Sequence, residues 1–281
     1  AEFNDENMLP VETGPLLPAQ MNKSGEKIKD TQTNALLIVN EIIKRENWTV
    51  RFNTLLKQTE ITGNNLPWDE SYYPYVSEEL LNDRLWLVVN GYFPSYQYDR
   101  GISAANIQHG LNVLARCDRY NPIVEYLDDL KWDGKPRVRR WLTDRLGAPD
   151  DELTGETSEL LFRALVARAY HPGTKFDTLI VLEGKQGTGK STALATLCPR
   201  PEWLTDHPFE LLGRGNPADA IMPFLGKWLH EFAEVSTLTP ATMNKAKAML
   251  SKPIDQFRRP YGRGFEDAPR GFVSVGTTND T

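Results

Sequence analysis

The sequence predicts an α/β fold, a parallel sheet flanked by helices, preceded by a mainly helical N-terminal region. Three observations lead there. Short apolar runs at residues 178–182, 228–232 and 272–275 are bounded by glycine or polar residues and separated by helix-compatible stretches. That alternation is the pattern of strands buried on both faces of a parallel sheet. A glycine-rich loop joins the first run to a helix-compatible run at residues 191–197. Upstream, from Ala35 on, apolar residues recur mostly at helical spacing.

Residues 1–30 are rich in Asn, Glu, Pro, Gly and Lys and read as a flexible acidic leader. Residues 31–150 form the mainly helical region, with a short hairpin. Ala35, Ile38, Val39 and Ile42 fall on one helical face. Residues 50–61 are rich in strand formers, and Gly63, Asn64 and Asn65 follow as a turn. Ser77 caps a helix bearing Leu80, Leu81, Leu85, Val88 and Val89 that stops at Gly91, and Ser103 caps another with Ile107, Leu111 and Leu114 inward. Asn121-Pro122 is a cap followed by proline at the first helical position, and that helix ends before Gly134. Val138, Trp141, Leu142 and Leu146 share a face closed by Gly147. The acidic stretch at residues 148–155 marks the border of a second domain, residues 151–281. There a helix with Leu160, Leu161, Ala164 and Leu165 stops at His171-Pro172-Gly173.

Of the 281 residues, 40% are hydrophobic and 25% charged, an ordinary balance for a globular chain. No apolar run approaches the roughly 18 residues of a membrane span. The start, Ala1-Glu2-Phe3, lacks the basic-then-apolar order of a secretory signal. Cys117 and Cys198 stand far apart, as suits a reducing cytoplasm rather than a disulfide framework. His109, His171, His207 and His230 lack metal-ligand spacing and read as packed or surface residues. A net charge of −6 means that any nucleic-acid contact must come from local basic patches.

Gly184, Gly189, Lys190 and Ser191 satisfy G-x-x-x-x-G-K-[ST]. The glycines let the backbone curl so that N–H groups point at phosphate oxygens. Lys190 supplies a mobile positive charge for the β- and γ-phosphates, Ser191 can ligate Mg²⁺, and the helix that begins there adds its positive end. The expected nucleotide-binding set is Gly184, Gln186, Gly187, Thr188, Gly189, Lys190, Ser191 and Thr192, with ATP and Mg²⁺ as ligands.

A triphosphatase needs a carboxylate near Mg²⁺ and usually another to activate water. Glu231 and Glu234, at the end of the second apolar run, offer both, with Glu231 the metal candidate. Three-residue spacing turns them to opposite faces of a continuous strand, so both serve only if the strand breaks near Phe232. Asn279, ending the third run, is either an amide that orients water against the γ-phosphate or part of a plain turn.

Two stretches concentrate basic residues. Lys131, Lys135, Arg137, Arg139, Arg140 and Arg145 form either an ordinary solvated face or a nucleic-acid contact. In the second, Lys252, Arg258, Arg259, Arg263 and Arg270 interleave with Phe257 and Tyr261 around Pro260 and Gly262. Arginine with aromatics suits single-stranded nucleic acid, and the turn residues imply a hairpin presenting them.

The run from Asn121 to Arg137 resembles the segment leading into the virulence-associated protein E domain. So do the run from Phe176 to Gly184 with its phosphate loop, the run from Trp228 to Glu234, the run from Phe257 to Arg263, and Gly276-Thr277-Thr278-Asn279. The resemblance covers residues 50–281 and keeps the family's order. That family is similar to superfamily-three-type helicases, AAA+-like P-loop ATPases of phages, plasmids and genomic islands that often accompany a primase.

The resemblance implies an ATP-dependent replicative DNA helicase working as a homo-oligomeric ring, with a primase as possible partner. It makes Lys190, Glu231, Glu234 and Asn279 the catalytic candidates, with Asn279 at the sensor position. Arg258, Arg259, Tyr261 and Arg263 become the DNA-contacting set. In the family the chain continues to an arginine-bearing segment beyond the sensor strand, so the domain is expected to be truncated at Thr281, with turnover affected. A P-loop small-molecule kinase, or a truncated nucleotide- or DNA-binding module without turnover, are the alternatives.

Overall fold

The computed structural model describes residues 27–64, 66–68, 76–77, 80–91, 101–208, 221–237, 239–257 and 264–279. The chain divides into two compact units, one ending at Tyr120 and the other running from Asn121 to Thr281. The division precedes the border expected at residues 150 and 151. The acidic stretch that suggested that border is in fact a helix start: Asp151 accepts the Thr154 N–H at 2.8 Å. Residues before it pack onto this helix, with Trp141 meeting Phe162 edge-on at 5.6 Å and Asn121 donating to the Ala169 carbonyl at 3.1 Å.

In the first unit, α1 (Gln32–Arg45) is capped by the Thr31 hydroxyl, which accepts the Asn34 N–H at 3.2 Å. Strands β1 (Thr49–Asn53) and β2 (Gln58–Thr62) form an antiparallel hairpin. Its turn lies inside the run of strand formers, ahead of Gly63. The Asn53 side chain accepts the N–H groups of Leu55 and Leu56 at 3.0 Å each, an Asx turn, and Lys57 takes the left-handed φ of 58°. Asn65 of the expected turn lies outside the described residues. A π-helical turn (Leu81–Leu85) leads into α2 (Trp86–Gly91), then α3 (Ala104–Cys117) and β3 (Arg119–Tyr120), which pairs parallel with β1.

Ile28 is fully buried in this unit's core with Ala35, Ile38, Ile107 and Leu111. Asp30 accepts from the Ser103 N–H at 3.0 Å and the Asn106 amide at 2.7 Å. Residues 27–30 therefore belong to the folded unit, which shortens the expected leader. Residues 1–26 lie outside the described residues.

The second unit opens with α4 (Pro122–Asp129), a 3-10 turn (Val138–Arg140), α5 (Trp141–Leu146) closed by Gly147 at φ 69°, and the long α6 (Glu152–Tyr170). A four-stranded parallel sheet follows, in the order β4 (Ile180–Gly184), β9 (Val273–Asn279), β6 (Leu229–Phe232), β5 (Leu204–Thr205). Helices α7 (Lys190–Leu197) and α8 (Pro240–Leu250) interrupt the strands in sequence, and β7 (Ile254–Phe257) and β8 (Glu266–Pro269) form a separate antiparallel pair. The three expected runs are thus strands. The fourth, β5, has two residues, too few to show a pattern. Among the described residues no helix is long and apolar enough to cross a membrane.

Central strands β6 and β9 are buried on both faces, whereas edge strand β4 buries Ile180 and Leu182 and exposes Val181 and Glu183. Gly276 in β9 is needed for close packing. A Cβ there would lie 2.8 Å from a Val235 methyl and 3.1 Å from one of Val181.

His230 on β6 is fully buried. Its Nδ1 lies 3.1 Å from the Ser274 hydroxyl, and its Nε2 lies 3.1 Å from the His207 carbonyl, which can only accept. Phe224 and Phe272 pack edge-on against its ring at 5.1 and 6.2 Å. Burial pushes its pKa down to about 4, although the His207 carbonyl works the other way. Between pH 6.5 and 4 the unfolded chain therefore binds a proton that the folded chain does not. The stability this histidine contributes is complete above pH 6.5 and falls by about 3 kcal/mol as the pH drops to 4. Urea unfolding should show the stability gap between wild type and His230→Gln narrowing by about that amount over this range. A gap independent of pH would contradict the assignment.

Candidate functional site

Because the sheet is parallel, the carboxyl ends of β4, β9 and β6 lie along one edge, the place where α/β sheets bind ligands. The register aligns Gly184 with Asn279, and Phe232 with Gly276. Glu231 pairs with Val275, so two-residue alternation puts Thr277 and Asn279 on the same face of the sheet as Glu231. With β9 lying between β4 and β6, these polar side chains stand between the glycine-rich loop and the acidic strand.

The loop after β4 is exposed from Lys185 to Gly189. Gly187 and Gly189 adopt left-handed φ values of 81° and 85°, which explains glycine at both positions. Thr188 closes the loop, its hydroxyl donating to the Lys185 carbonyl at 2.9 Å. Gln186 is exposed in the loop and Thr192 in the first turn of α7. The first N–H groups of that helix lack partners within it and point along its axis toward the loop.

Lys190 and Ser191, the first residues of α7, reach the strand ends. The Lys190 ammonium donates to the Gly184 and Lys185 carbonyls at 2.6 and 3.0 Å and lies 3.4 Å from the Asn279 side-chain oxygen. The Ser191 hydroxyl donates to the Glu231 carboxylate at 2.6 Å. The Thr277 hydroxyl donates to the same oxygen at 2.8 Å. Glu231 is 7% exposed, so these hydroxyls replace the water that a buried carboxylate loses.

Strand β6 ends at Phe232, and Glu234 sits in the following turn with φ 54°. Left-handed backbone at a non-glycine residue is strained by about 1–3 kcal/mol. The turn brings the Glu234 carboxylate to 2.9 Å from the Asn279 side-chain nitrogen. Both glutamates therefore reach the site, and the strand break at Phe232 that this requires is present. Asn279 is the last residue of β9, with its oxygen toward Lys190 and its nitrogen on Glu234.

These groups suit a magnesium–triphosphate pair. The Ser191 hydroxyl and Glu231 carboxylate, 2.6 Å apart, are two hard oxygen donors of the kind Mg²⁺ takes. The exposed loop, the start of α7 and Lys190 present N–H groups and an ammonium of the kind that bind phosphate oxygens. Thr277 was not singled out in the sequence. The signal that could have found it is the parallel register: it follows the partner of Glu231 by two residues.

The basic stretches separate by their partners. Arg137 is gripped by both Asp133 oxygens at 2.8 and 2.6 Å. Arg139 pairs with Glu152 and Glu156 at 2.7 and 2.8 Å, and Arg140 with Asp150 and Asp144 at 2.8 and 3.1 Å. These three arginines thus belong to a carboxylate-paired, solvated face. Arg270, grouped with the second stretch, is buried: it holds Asp255 through two bonds of 2.9 and 2.6 Å and donates to the Met249 carbonyl at 2.6 Å. Its role is in the core. Strands β7 and β8 pair antiparallel on either side of that stretch, while Arg258, Arg259, Tyr261 and Arg263 lie outside the described residues.

A family model described as the virulence-associated protein E-like domain matches residues 127–281. No curated protein matches the chain. Among solved structures, an A-form apo structure of the NrS-1 C-terminal region is similar at 16% identity and a TM-score of 0.49, covering 88% of this chain and 57% of that one. A second apo structure of that region gives 14% identity and a TM-score of 0.48 over the same shares. The chain thus spans 57% of the length of these matched chains.

The two classes of arginine should behave differently in unfolding experiments. Removing one partner of the buried pair, as in Asp255→Ala, leaves an uncompensated charge and should cost about 3–5 kcal/mol. Removing an exposed pair, as in Arg137→Ala, should cost far less, because solvent already screens it. Equal costs in chemical denaturation would contradict the assignment of Arg270 to the core.

Proposed function

The chain belongs to the virulence-associated protein E-like family through residues 127–281, and on that premise we propose that it is an ATP-driven DNA helicase or replication ATPase. In this reading its second unit is a P-loop domain of the AAA+-like kind. The observation that carries the reading is the convergence of Lys190, Ser191, Glu231, Glu234 and Asn279 at the carboxyl edge of one parallel sheet. A strand inserted between the loop strand and the acidic strand is what lets Asn279 touch both Lys190 and Glu234.

The roles follow from the chemistry of each group. Loop N–H groups between Lys185 and Gly189 hold the phosphates together with the α7 N-terminus. Lys190 turns from its carbonyl partners to the β- and γ-phosphate oxygens. Ser191 and Glu231 would hold Mg²⁺, which when bound would neutralise charge gathering on the phosphates. Glu234 takes the proton of the attacking water, and Asn279 fixes the Glu234 carboxylate while its oxygen faces the Lys190 ammonium. Thr277 keeps Glu231 aimed at the metal position, a supporting contact of the kind that tunes metal affinity. Movement on DNA, assembly into a ring and cooperation with a primase are parts of this proposal beyond the site itself.

ATP turnover should be stimulated by single-stranded DNA. Lys190→Ala should abolish nucleotide binding. Glu234→Gln should keep binding and lower turnover by about 100-fold or more. Thr277→Val should raise the Mg²⁺ concentration for half-maximal turnover by about tenfold. Nucleotide binding undiminished in Lys190→Ala would remove the site, and turnover indifferent to DNA would remove the helicase reading while leaving an ATPase.

A further inference from the structure

Trp132 is 80% exposed, in the loop between α4 and the 3-10 turn, whereas tryptophan is usually among the more buried residues of a fold. The loop around it is fastened. Asp133 accepts the Lys135 N–H at 3.1 Å and grips Arg137 through both oxygens. The Arg137 guanidinium holds the Asp133 carboxyl down at about 2, so the clasp stays ionised across the working pH range. Gly134 makes the turn with φ 82°, and a Cβ there would meet nothing within 4 Å. The indole N–H points toward the Lys135 carbonyl at 3.4 Å, a long contact. The clasp therefore presents an open aromatic face from an ordered loop. Lys131 and Lys135 flank it in sequence, both exposed, and no described carboxylate meets their ammonium groups.

We propose that this loop is a contact for single-stranded nucleic acid, in which the Trp132 indole stacks on a base while Lys131 and Lys135 meet the neighbouring phosphates. An indole beside two unpaired cations is complementary to a ligand that repeats a π-face next to a negative charge, which a single strand does at each nucleotide. Arg137 is committed to Asp133 and Arg139 to Glu152 and Glu156, which leaves Lys131 and Lys135 as the cations beside the indole that can track a backbone. Ordering the loop in advance lowers the entropy cost of binding. The inference rests on the proposed action on DNA and names residues other than those of the nucleotide site and other than Arg258, Arg259, Tyr261 and Arg263.

The test uses the 281-residue chain and a fluorescein-labelled oligothymidylate, which has no structure of its own, read by fluorescence anisotropy. Trp132→Ala should weaken binding roughly tenfold, and Trp132→Phe should restore most of it because a ring still stacks. The Lys131→Ala, Lys135→Ala double variant should flatten the plot of log affinity against log salt by about 0.7 for each phosphate no longer neutralised. Thermal melts of each variant distinguish a weakened binding surface from an unfolded chain. Undiminished binding in Trp132→Ala, with binding intact in wild type, overturns this inference alone. Failure of every form, wild type included, to bind the oligonucleotide overturns both it and the DNA part of the proposed function. Unchanged DNA binding with loss of self-association in Trp132→Ala, read by sedimentation, would also overturn it and assign the loop to contacts between copies.

Discussion

The strand-edge site is organised by the needs of one buried carboxylate. A charge taken out of water is costly unless hydrogen bonds replace the solvent, and Glu231 obtains these from Ser191 on α7 and Thr277 on β9. Those two bonds tie the acidic strand to the helix after the loop and to the strand between. The same arrangement sets the positions of Lys190, one residue before Ser191, and Asn279, two residues after Thr277. Satisfying the buried charge and assembling the candidate site are therefore one structural event.

Much of this was legible in the sequence because the signals were local. The glycines at 187 and 189, the strand-to-helix run around them and the acids after residue 230 sit within short windows, and the structure places them in one site. What escaped was set by non-local pairing. Thr277 gains its role only when β9 lies beside β6, and β5 is a strand only because β6 pairs with it. Local signals also misled where one residue type serves two ends. Asp151 looked like part of a linker and is a helix cap, while Asn53, unremarked beside Gly63, makes the hairpin turn.

Charge was the least legible property. Arg137, Arg140 and Arg270 look alike in a count of basic residues, yet the first two are exposed and carboxylate-paired while the last is buried against Asp255 and Met249. Arg168 is a further case. It is 2% exposed and donates to the carbonyls of Phe272, Thr174 and Phe176, with burial and the nearby Arg270 pulling its pKa down to about 10. It ties α6 to the chain leading into β4 and into β9. Such arginines act as multi-donor struts, which sequence position alone does not separate from ligand-binding ones.

The turn at Glu234 shows how the fold resolves the spacing of the two acids. Alternation along a continuous strand would send them to opposite faces, and a longer strand would have kept them apart. Ending β6 at Phe232 and placing Glu234 at a left-handed φ instead brings its carboxylate to Asn279, at a cost in backbone strain. Glycine would relieve that strain but would remove the carboxylate. The position therefore holds a residue that fits its backbone poorly but places a carboxylate on Asn279, the kind of local conflict concentrated at functional sites. This ties the proposed division of labour to the backbone: Glu231, inside the strand, is buried and fixed by two hydroxyls and suits a static metal ligand, whereas Glu234, held by Asn279 in an exposed turn, is open to the water with which a base exchanges protons.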